Sequence, residues 1–185
     1  KLASARTMPV TISVPHNKSS EDSPSIVPFV EDLQSILEVK GIPYYTVRGN
    51  SLREMIDLST SQARGTSYNK ELSAAFDVSD LHIEVHAYDF DTNPDWTDSD
   101  VVLGDLSGYT DDEMVSRYEE TIGEFGNVSV VDIVPLGHYS TALAELVYEI
   151  NSLVLYVNAD SANLFQVVSE AVTDVISYYE DRKTA

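Results

Sequence analysis

The chain has 185 residues, enough for one domain with a substantial hydrophobic core. It contains no cysteine, which excludes disulfides and thiolate chemistry, and no apolar run approaches the roughly 18 residues of a membrane span. Its 31 acidic residues against 11 lysines and arginines give a formal net charge of -20, so we expect no nucleic-acid partner. Hydrophobic residues make up an ordinary 43% of the chain, which indicates a folded protein.

So acidic a surface repels itself unless salt or cations screen it. The charge has two interpretations. The first is adaptation to high salt, as in a halophilic archaeon or one of its viruses, which would place the chain in a high-salt cytoplasm or a virion. Under this first interpretation, we expect the chain to assemble into a larger particle or a homo-oligomer. The second is an ordinary acidic protein.

The first half of the chain predicts a strand, a loop carrying a histidine, and a helix. Residues 9–15 (PVTISVP) alternate as a strand, and His16 follows directly. Open α/β sheets bind ligands at the C-terminal ends of their strands, so we expect His16 at that edge. The polar loop that follows carries Glu21, and a helix is predicted from about residue 26 to residue 40, with Gly41 ending it.

Residues 42–47 predict a second strand, and residues 66–76 a short helix that leads into a central strand, LHIEVHAYDF, at residues 81–90. The odd positions of this strand are apolar and are predicted to pack, whereas the opposite face carries His82, Glu84 and His86.

Side chains two apart on a strand are about 7 Å from one another, slightly far for two ligands of one metal. We therefore expect His86, nearest the C-terminal end, to bind a metal and Glu84 or His82 to support it from behind. The alternative is an exposed polar face without a metal.

Residues 89–112 are the most acidic part of the chain. Acidic or amide side chains alternate at positions 89, 91, 93 and 95, as in a calcium-binding EF-hand loop, but Pro94 stands where that loop needs glycine. Calcium binding between Asp89 and Asp100 stays open, while a solvated acidic loop is the favoured interpretation.

Later elements continue the alternation of strands and helices. The residues Thr110–Glu113 form a capping box that opens a helix, and residues 128–134 predict a strand, followed by a loop with His138. Residues 141–158 fit both a helix and a strand, and Ser161 is predicted to cap a final helix. The alternation predicts one α/β sandwich domain over residues 1–185, with residues 1–8 as an extended arm.

Three segments resemble the N-formylglutamate amidohydrolases, within the wider group of zinc carboxypeptidase-like hydrolases. VPHNK (residues 14–18) resembles the family's Pro-His after the first strand, and LHIEVHAY (81–88) resembles its strand of the type His-Ile-Asp-x-His-Ser. ALAELVYEINSLVLYVN (142–158) resembles the late segment of the type Ala-Leu-Gln-x-Glu-Ile-Asn-Arg-x-Leu-Tyr, which implies a strand followed by a helix. The resemblance implies a single-domain, three-layer α/β sandwich whose mixed, mostly parallel sheet carries helices on both faces.

The resemblance also implies a site. Zinc, or another divalent transition metal, would be bound by His16, His86 and a carboxylate. Glu21 is expected as that carboxylate, because the related poly-γ-glutamate hydrolases also carry a loop carboxylate five residues after Pro-His. Glu149 takes the position of the general base. The implied reaction is hydrolysis of an amide bond in an N-acyl amino acid or a glutamate-rich peptide.

One departure from the family concerns the substrate's carboxylate. The Asp-x-Asn-Arg motif that holds it appears here as Asp57-Leu58-Ser59-Thr60, without the Asn and Arg. Arg64 and Arg53 are candidate substitutes, because a planar guanidinium suits a carboxylate, and His138 is a further candidate for the pocket. Either the substrate has changed or catalysis has been lost. The second hypothesis is therefore a non-catalytic structural or binding module, such as a virion component of a halophilic archaeal virus.

Overall fold

A computed structural model describes residues 9–17, 26–49, 56–105, 111–132 and 138–184. The predicted arm at residues 1–8, Glu21 and Arg53 lie outside these ranges. The described strands are β1 (Val10–Val14), β2 (Tyr44–Arg48), β3 (Leu81–Tyr88), β4 (Val101–Asp105), β5 (Val128–Asp132) and β6 (Asn151–Asn158). The described helices are α1 (Ile26–Val39), α2 (Ser67–Phe76), α3 (Asp112–Gly123), α4 (Tyr139–Ala142) and α5 (Phe165–Thr184).

The six described strands form one mixed sheet in the order β2-β1-β3-β6-β4-β5. β4 runs antiparallel to β6, and the other paired strands are parallel. The C-terminal ends of β1, β3 and β6 therefore meet at one edge of the sheet. This arrangement confirms the predicted mixed, mostly parallel sheet.

One face of the sheet forms the main hydrophobic core with α1, α3 and α5. The odd positions of β3 lie on this face, as the alternation predicts, and pack with Ile12 and Leu155 of the neighbouring strands. α1 contributes Phe29, Leu33 and Leu37, which recur at helical spacing and are fully buried. Burial of this apolar surface is the main favourable contribution to folding.

The opposite face is covered by α2 and the segment that begins with α4. Tyr68, Leu72 and Phe76 of α2 pack there with Val47 of β2 and Ala144. Helices on both faces confirm the predicted three-layer sandwich. His82, Glu84 and His86, at even positions of β3, lie under this second layer, so these three polar side chains are buried and not solvated. None of the helices in the described ranges is long and apolar enough to cross a membrane.

The segment 142–158 has the reverse of the order that the family resemblance implied. α4 continues into a π-helical turn (Leu143–Val147), and the strand β6 follows it. The physical reason lies in the apolar run Leu153–Val157, which is buried on both sides in the middle of the sheet. Such continuous runs are typical of central, mostly parallel strands.

The acidic segment 89–112 contains a strand that the charge pattern concealed. A short helical turn (Phe90–Thr92) follows β3, and β4 then pairs on both sides, with β6 and β5. The interpretation of this segment as only a solvated loop is therefore wrong over Val101–Asp105.

Two predicted helix caps differ from the structure. Asp111 caps α3 by accepting hydrogen bonds from the backbone N–H groups of Glu113 (2.9 Å) and Met114 (3.3 Å), whereas Thr110 lies outside the described residues. Ser161 does not cap α5, which begins at Phe165; its hydroxyl donates to Asp100 Oδ1 at 2.7 Å.

Candidate active site

Two histidines predicted to bind a metal lie side by side at the C-terminal edge of the sheet. His16 follows β1 after Pro15, and His86 lies near the end of β3, on a strand paired with β1. Both side chains are buried, each with a residue exposure of 2%. Their ring centroids are 5.1 Å apart and the ring planes meet at 65°. The parallel pairing of β1 and β3 thus brings together two residues that are far apart in the sequence.

Each of these histidines is hydrogen-bonded to its own carboxylate. His16 donates from Nε2 to Asp57 Oδ1 at 3.1 Å, and His86 donates from Nε2 to Glu84 Oε2 at 2.9 Å. The Nδ1 atom of each ring therefore lies on the side away from its carboxylate. Histidines that bind metals usually donate their other ring N–H to a carboxylate, which fixes the tautomer and the ring orientation. The sequence predicted that Glu84 supports His86. Asp57 entered the prediction only as part of the motif Asp57-Leu58-Ser59-Thr60, and not as a partner of His16.

Asp57 is held in place by its own turn. Asp57 Oδ1 accepts hydrogen bonds from the Ser59 hydroxyl (2.6 Å) and the Ser59 backbone N–H (3.0 Å). Partial burial opposes ionisation, but the hydrogen bonds from Ser59 and His16 hold the pKa of Asp57 below its ordinary value. Asp57 is therefore an ionised partner for His16 at neutral pH.

The backbone before His16 is fixed by a close contact with the end of β2. Gly49 donates its N–H to the carbonyl of Val14 at 2.8 Å. A Cβ atom at position 49 would lie 1.9 Å from the carbonyl oxygen of Pro15, so no larger residue fits without moving that turn. Gly49 thus helps to set the position of His16.

Glu84 is fully buried and both its oxygens are hydrogen-bonded. Oε2 accepts from His86 Nε2 and from His138 Nδ1, each at 2.9 Å. Oε1 accepts from the hydroxyls of Ser140 (2.5 Å) and Ser13 (3.4 Å). Burial alone would raise its pKa, but the hydrogen bonds from His138 and His86 hold the pKa of Glu84 well below its usual range.

His138 and Tyr156 complete a buried cluster around Glu84. His138 precedes α4, and its Nε2 atom is hydrogen-bonded to the hydroxyl of Tyr156. Tyr156 is the register partner of His86 on β6, and their rings stack with centroids 4.8 Å apart at 16°. The ligand atoms of Glu84, His86 and His138 lie within 4.8 Å of one another, so these three residues form an alternative set of metal ligands.

Sequence reasoning missed Tyr156 and expected His138 to bind substrate. Tyr156 stands as a residue with a polar tip inside the apolar run of β6, which is the signal that was available. Its place beside His86 follows from the register of β3 and β6, which the sequence does not display.

His82 belongs to the structural part of this buried network. Its Nε2 and Nδ1 atoms are hydrogen-bonded to the hydroxyls of Ser13 and Ser152, both at 2.7 Å, and its ring packs on Phe76. Burial lowers the pKa of His82 from 6.5 to about 4, although the charge of Glu84 opposes the shift. His82 is therefore neutral at pH 7 and stabilises the packing under α2.

Glu149, the general base implied by the resemblance, lies at the other edge of the sheet. It is exposed, has a φ of 55°, and precedes β6 by two residues. Asn151 pairs with Leu81 at the start of β3, whereas His86 pairs with Tyr156. At about 3.3 Å per residue, this register separates the two ends by roughly 17 Å. The structure does not bring Glu149 to the histidines, because the strand follows the helix and not the reverse.

The expected carboxylate-binding residues are only partly described. The Arg64 guanidinium lies over the ring of Tyr139, with its carbon 5.4 Å from the ring centroid. The hydroxyls of Ser59 and Thr60, at the positions where the resemblance implied Asn and Arg, donate back to Asp57. Their hydrogen bonds therefore stabilise the turn that orients His16.

Two carboxylates of the acidic segment, those of Asp89 and Asp91, lie close to the carboxylate of Asp160, which follows β6. All three side chains are exposed, and Asp89 caps the following turn by accepting from the N–H of Asp91 at 2.9 Å. Asp100, the other end of the predicted calcium segment, instead accepts from Ser161 and from the backbone N–H of Asn127. Calcium binding there stays a prediction.

The fold is similar to the folds of solved amidohydrolase and metallo-carboxypeptidase structures. The structure is similar to N-formylglutamate amidohydrolase from Ralstonia eutropha JMP134, with a TM-score of 0.62, 12% identity, and coverage of 97% of this chain and 96% of that one. A bacteriophage poly-gamma-glutamate hydrolase matches with a TM-score of 0.58, 14% identity, and coverage of 94% and 84%.

A metallo-carboxypeptidase from Burkholderia cenocepacia matches with a TM-score of 0.64, 12% identity, and coverage of 94% of this chain and 58% of that one. No protein-family model matches the sequence, and no curated protein is significantly similar to it. The predicted resemblance to these hydrolases is confirmed at the level of the fold.

Proposed function

We propose that this chain is a metal-dependent hydrolase that cleaves an amide bond at the C-terminal edge of its sheet. The observation that carries the proposal is the pair of adjacent buried histidines, His16 and His86, each hydrogen-bonded through Nε2 to a separate carboxylate. Metal-binding histidines are commonly held in this way. The same edge of the sheet is where α/β proteins bind their ligands.

The residues present fit a metal of the zinc type. Two imidazoles and one carboxylate are ligand types that catalytic zinc sites use, and other divalent transition metals accept the same ligands. His16 and His86 would bind through the ring nitrogen that is not bonded to a carboxylate. The third ligand in this proposal is Glu21, which the sequence predicted and which lies outside the described residues.

A metal held by these residues would supply two things: it would lower the pKa of a water molecule toward about 7 and would polarise the scissile carbonyl group. Asp57 and Glu84 keep the two imidazoles in the tautomer protonated at Nε2 and hold the rings in position. Hydroxyls of Ser59 and Ser140 in turn hold the two carboxylates. Because these contacts hold the two imidazoles before substrate arrives, little reorganisation of the two rings accompanies the reaction.

The proposed substrate is an N-acyl amino acid or a glutamate-rich peptide, and its carboxylate would bind to Arg64 or Arg53. Arg64 lies over Tyr139, the residue that follows His138, which puts its guanidinium near the segment that enters the site. A guanidinium in this position suits a carboxylate through paired hydrogen bonds.

A second candidate function is a non-catalytic binding or structural module, such as a component of a virus particle from a high-salt host. The observation that favours it is the turn at Ser59 and Thr60, whose hydroxyls donate to Asp57 where the family presents Asn and Arg to the substrate. The net charge of -20 suits a high-salt setting.

The two candidates differ in turnover. Protein loaded with zinc would be incubated with N-formyl-L-glutamate, N-acetyl-L-glutamate and poly-γ-glutamate, and release of the amine would be followed. The hydrolase proposal expects turnover that a chelator abolishes and zinc restores, and no turnover by His16→Ala protein prepared in parallel. Metal-loaded protein that cleaves none of these amides would favour the non-catalytic module.

A further inference from the structure

A continuous hydrogen-bonded chain of three residues lies beside His86. The Tyr156 hydroxyl is bonded to His138 Nε2, and His138 Nδ1 is 2.9 Å from Glu84 Oε2. The exposure of Tyr156 is 5% and that of His138 is 8%, so both groups are largely shielded from bulk water. The proposed function gives no role to Tyr156 or His138.

The direction of each hydrogen bond follows from the partners of Glu84. Its carboxylate accepts from His86 Nε2 and from the hydroxyls of Ser13 and Ser140, and His138 Nδ1 donates to it in the same way. A neutral imidazole carries one N–H, and His138 Nε2 is then an acceptor for the Tyr156 hydroxyl. Hydroxyl, imidazole and carboxylate are thus in the same order as in a Ser-His-Asp triad.

We propose that Tyr156 transfers protons in the hydrolytic reaction, with His138 as its proton acceptor and Glu84 as the residue that positions His138. This inference rests on the proposed hydrolase function. It supplies the acid–base group that Glu149 does not, since Glu149 is exposed at the opposite edge of the sheet.

The proton transfers balance over the reaction. As the water oxygen bonds to the amide carbon, the water proton passes to Tyr156 Oη and the phenolic proton passes to His138 Nε2. The imidazolium formed there lies against the carboxylate of Glu84. As the C–N bond breaks, Tyr156 gives its proton to the leaving nitrogen and recovers the proton from His138 Nε2. One water is consumed, and the three side chains return to their starting states.

Packing holds the phenol ring of Tyr156 in this position. It stacks on the ring of His86 on one side, and the ring of Trp96 lies 4.8 Å away, at a tilt of 56°. Two residues at the beginning of α4 donate hydrogen bonds to Glu84: His138 donates to Oε2 and Ser140 donates to Oε1. A proton-transfer group needs this fixed geometry, since transfer requires heavy atoms within hydrogen-bond distance.

The tautomer of His138 tests the direction of the hydrogen bonds among Tyr156, His138 and Glu84, and the test needs no substrate. In metal-loaded protein labelled with ¹⁵N-histidine, NMR would show which ring nitrogen of His138 carries the proton, with a His138→Gln variant for assignment. The proposal expects the proton on Nδ1, and a loss of that preference in Glu84→Gln. A proton on Nε2 alone would overturn the proposal, because Tyr156 could then not donate to it.

The kinetic test removes only the hydroxyl. We expect Tyr156→Phe to stay folded with the wild-type metal content, to change KM little, and to lower kcat by about 10²- to 10⁴-fold. Tyr148→Phe is the matched control, because Tyr148 packs on Phe76 under α2. This variant should keep the wild-type kcat.

The failures of the two proposals are distinguishable. A wild-type protein that binds metal but cleaves no amide refutes the hydrolase function, and the role of Tyr156 in it. An active wild type whose Tyr156→Phe variant is equally active refutes only the role of Tyr156.

Discussion

The imidazole rings of His16 and His86 lie with their centroids 5.1 Å apart, and each donates from Nε2 to a different buried or half-buried carboxylate. Two neighbouring strands thus deliver two histidines in the same tautomer to one point at the sheet edge. The proposed function as a metal-dependent hydrolase depends on this relationship.

Asp57→Asn should weaken metal binding by about 10- to 100-fold, because the neutral amide holds the His16 ring less well and makes its imidazole less basic. A competition titration of zinc against a coloured chelator measures this affinity. Asp77→Asn is the matched control, since Asp77 is exposed at the end of α2 and its substitution changes the net charge equally. Equal affinities of the two variants would show that Asp57 does not support a ligand.

His82 should make folding stability depend on pH. Its pKa is about 4 in the folded protein against an ordinary 6.5, so the unfolded chain binds the proton more readily. The contribution is complete above pH 6.5 and is lost as the pH falls to 4, by about 3 kcal/mol.

Urea unfolding at pH 7, 5 and 4 measures this loss in the wild type and in His82→Gln. The variant is less stable at pH 7, yet its stability should fall less steeply across this range. The carboxylates with lowered pKa, Asp57 and Glu84, titrate in both proteins and cancel in the comparison. Parallel curves for the two proteins would contradict the assignment of His82 as a neutral buried histidine.

Gly49→Ala should destabilise the protein by about 1–3 kcal/mol, the usual range for overpacking, because the added Cβ would lie 1.9 Å from the Pro15 carbonyl oxygen. It should also weaken metal binding, since the turn that moves carries His16. Gly123→Ala is the control: Gly123 ends α3 with nothing within 4 Å of an added Cβ, and the change should be neutral or stabilising by up to about 1 kcal/mol. Chemical denaturation of both variants decides the matter.

Much of the fold was predictable because hydrophobic periodicity is local. The alternation along β3 placed His82, Glu84 and His86 on one face, and the apolar spacing gave α1 and α2 within a residue or two. The strand β4 was hidden among aspartates, since its pairing with β6 depends on residues far along the chain.

The site was less predictable because it depends on register and packing. Glu149 lies in a segment whose pattern fits both a helix and a strand. The sequence therefore did not show at which edge of the sheet Glu149 lies. The bond from His16 to Asp57 and the stacking of Tyr156 on His86 arise from contacts between separate elements. No spacing in the sequence encodes such contacts.

The net charge of -20 predicts that added salt stabilises the folded protein by screening repulsion among its carboxylates. Thermal unfolding in dilute buffer and in molar potassium chloride measures the effect, and the melting temperature should rise with salt. Equal stability in both conditions would remove the basis for a high-salt setting.

Elemental analysis of protein purified without chelator tests most directly whether His16 and His86 bind a metal. The account predicts about one zinc, or another divalent transition metal, per chain. This metal should be absent from a His16→Ala, His86→Ala double variant and retained in His138→Gln. A wild type that holds no metal, even after incubation with zinc, would contradict the account. Loss of the metal in His138→Gln would also contradict it, because the ligands would then be Glu84, His86 and His138.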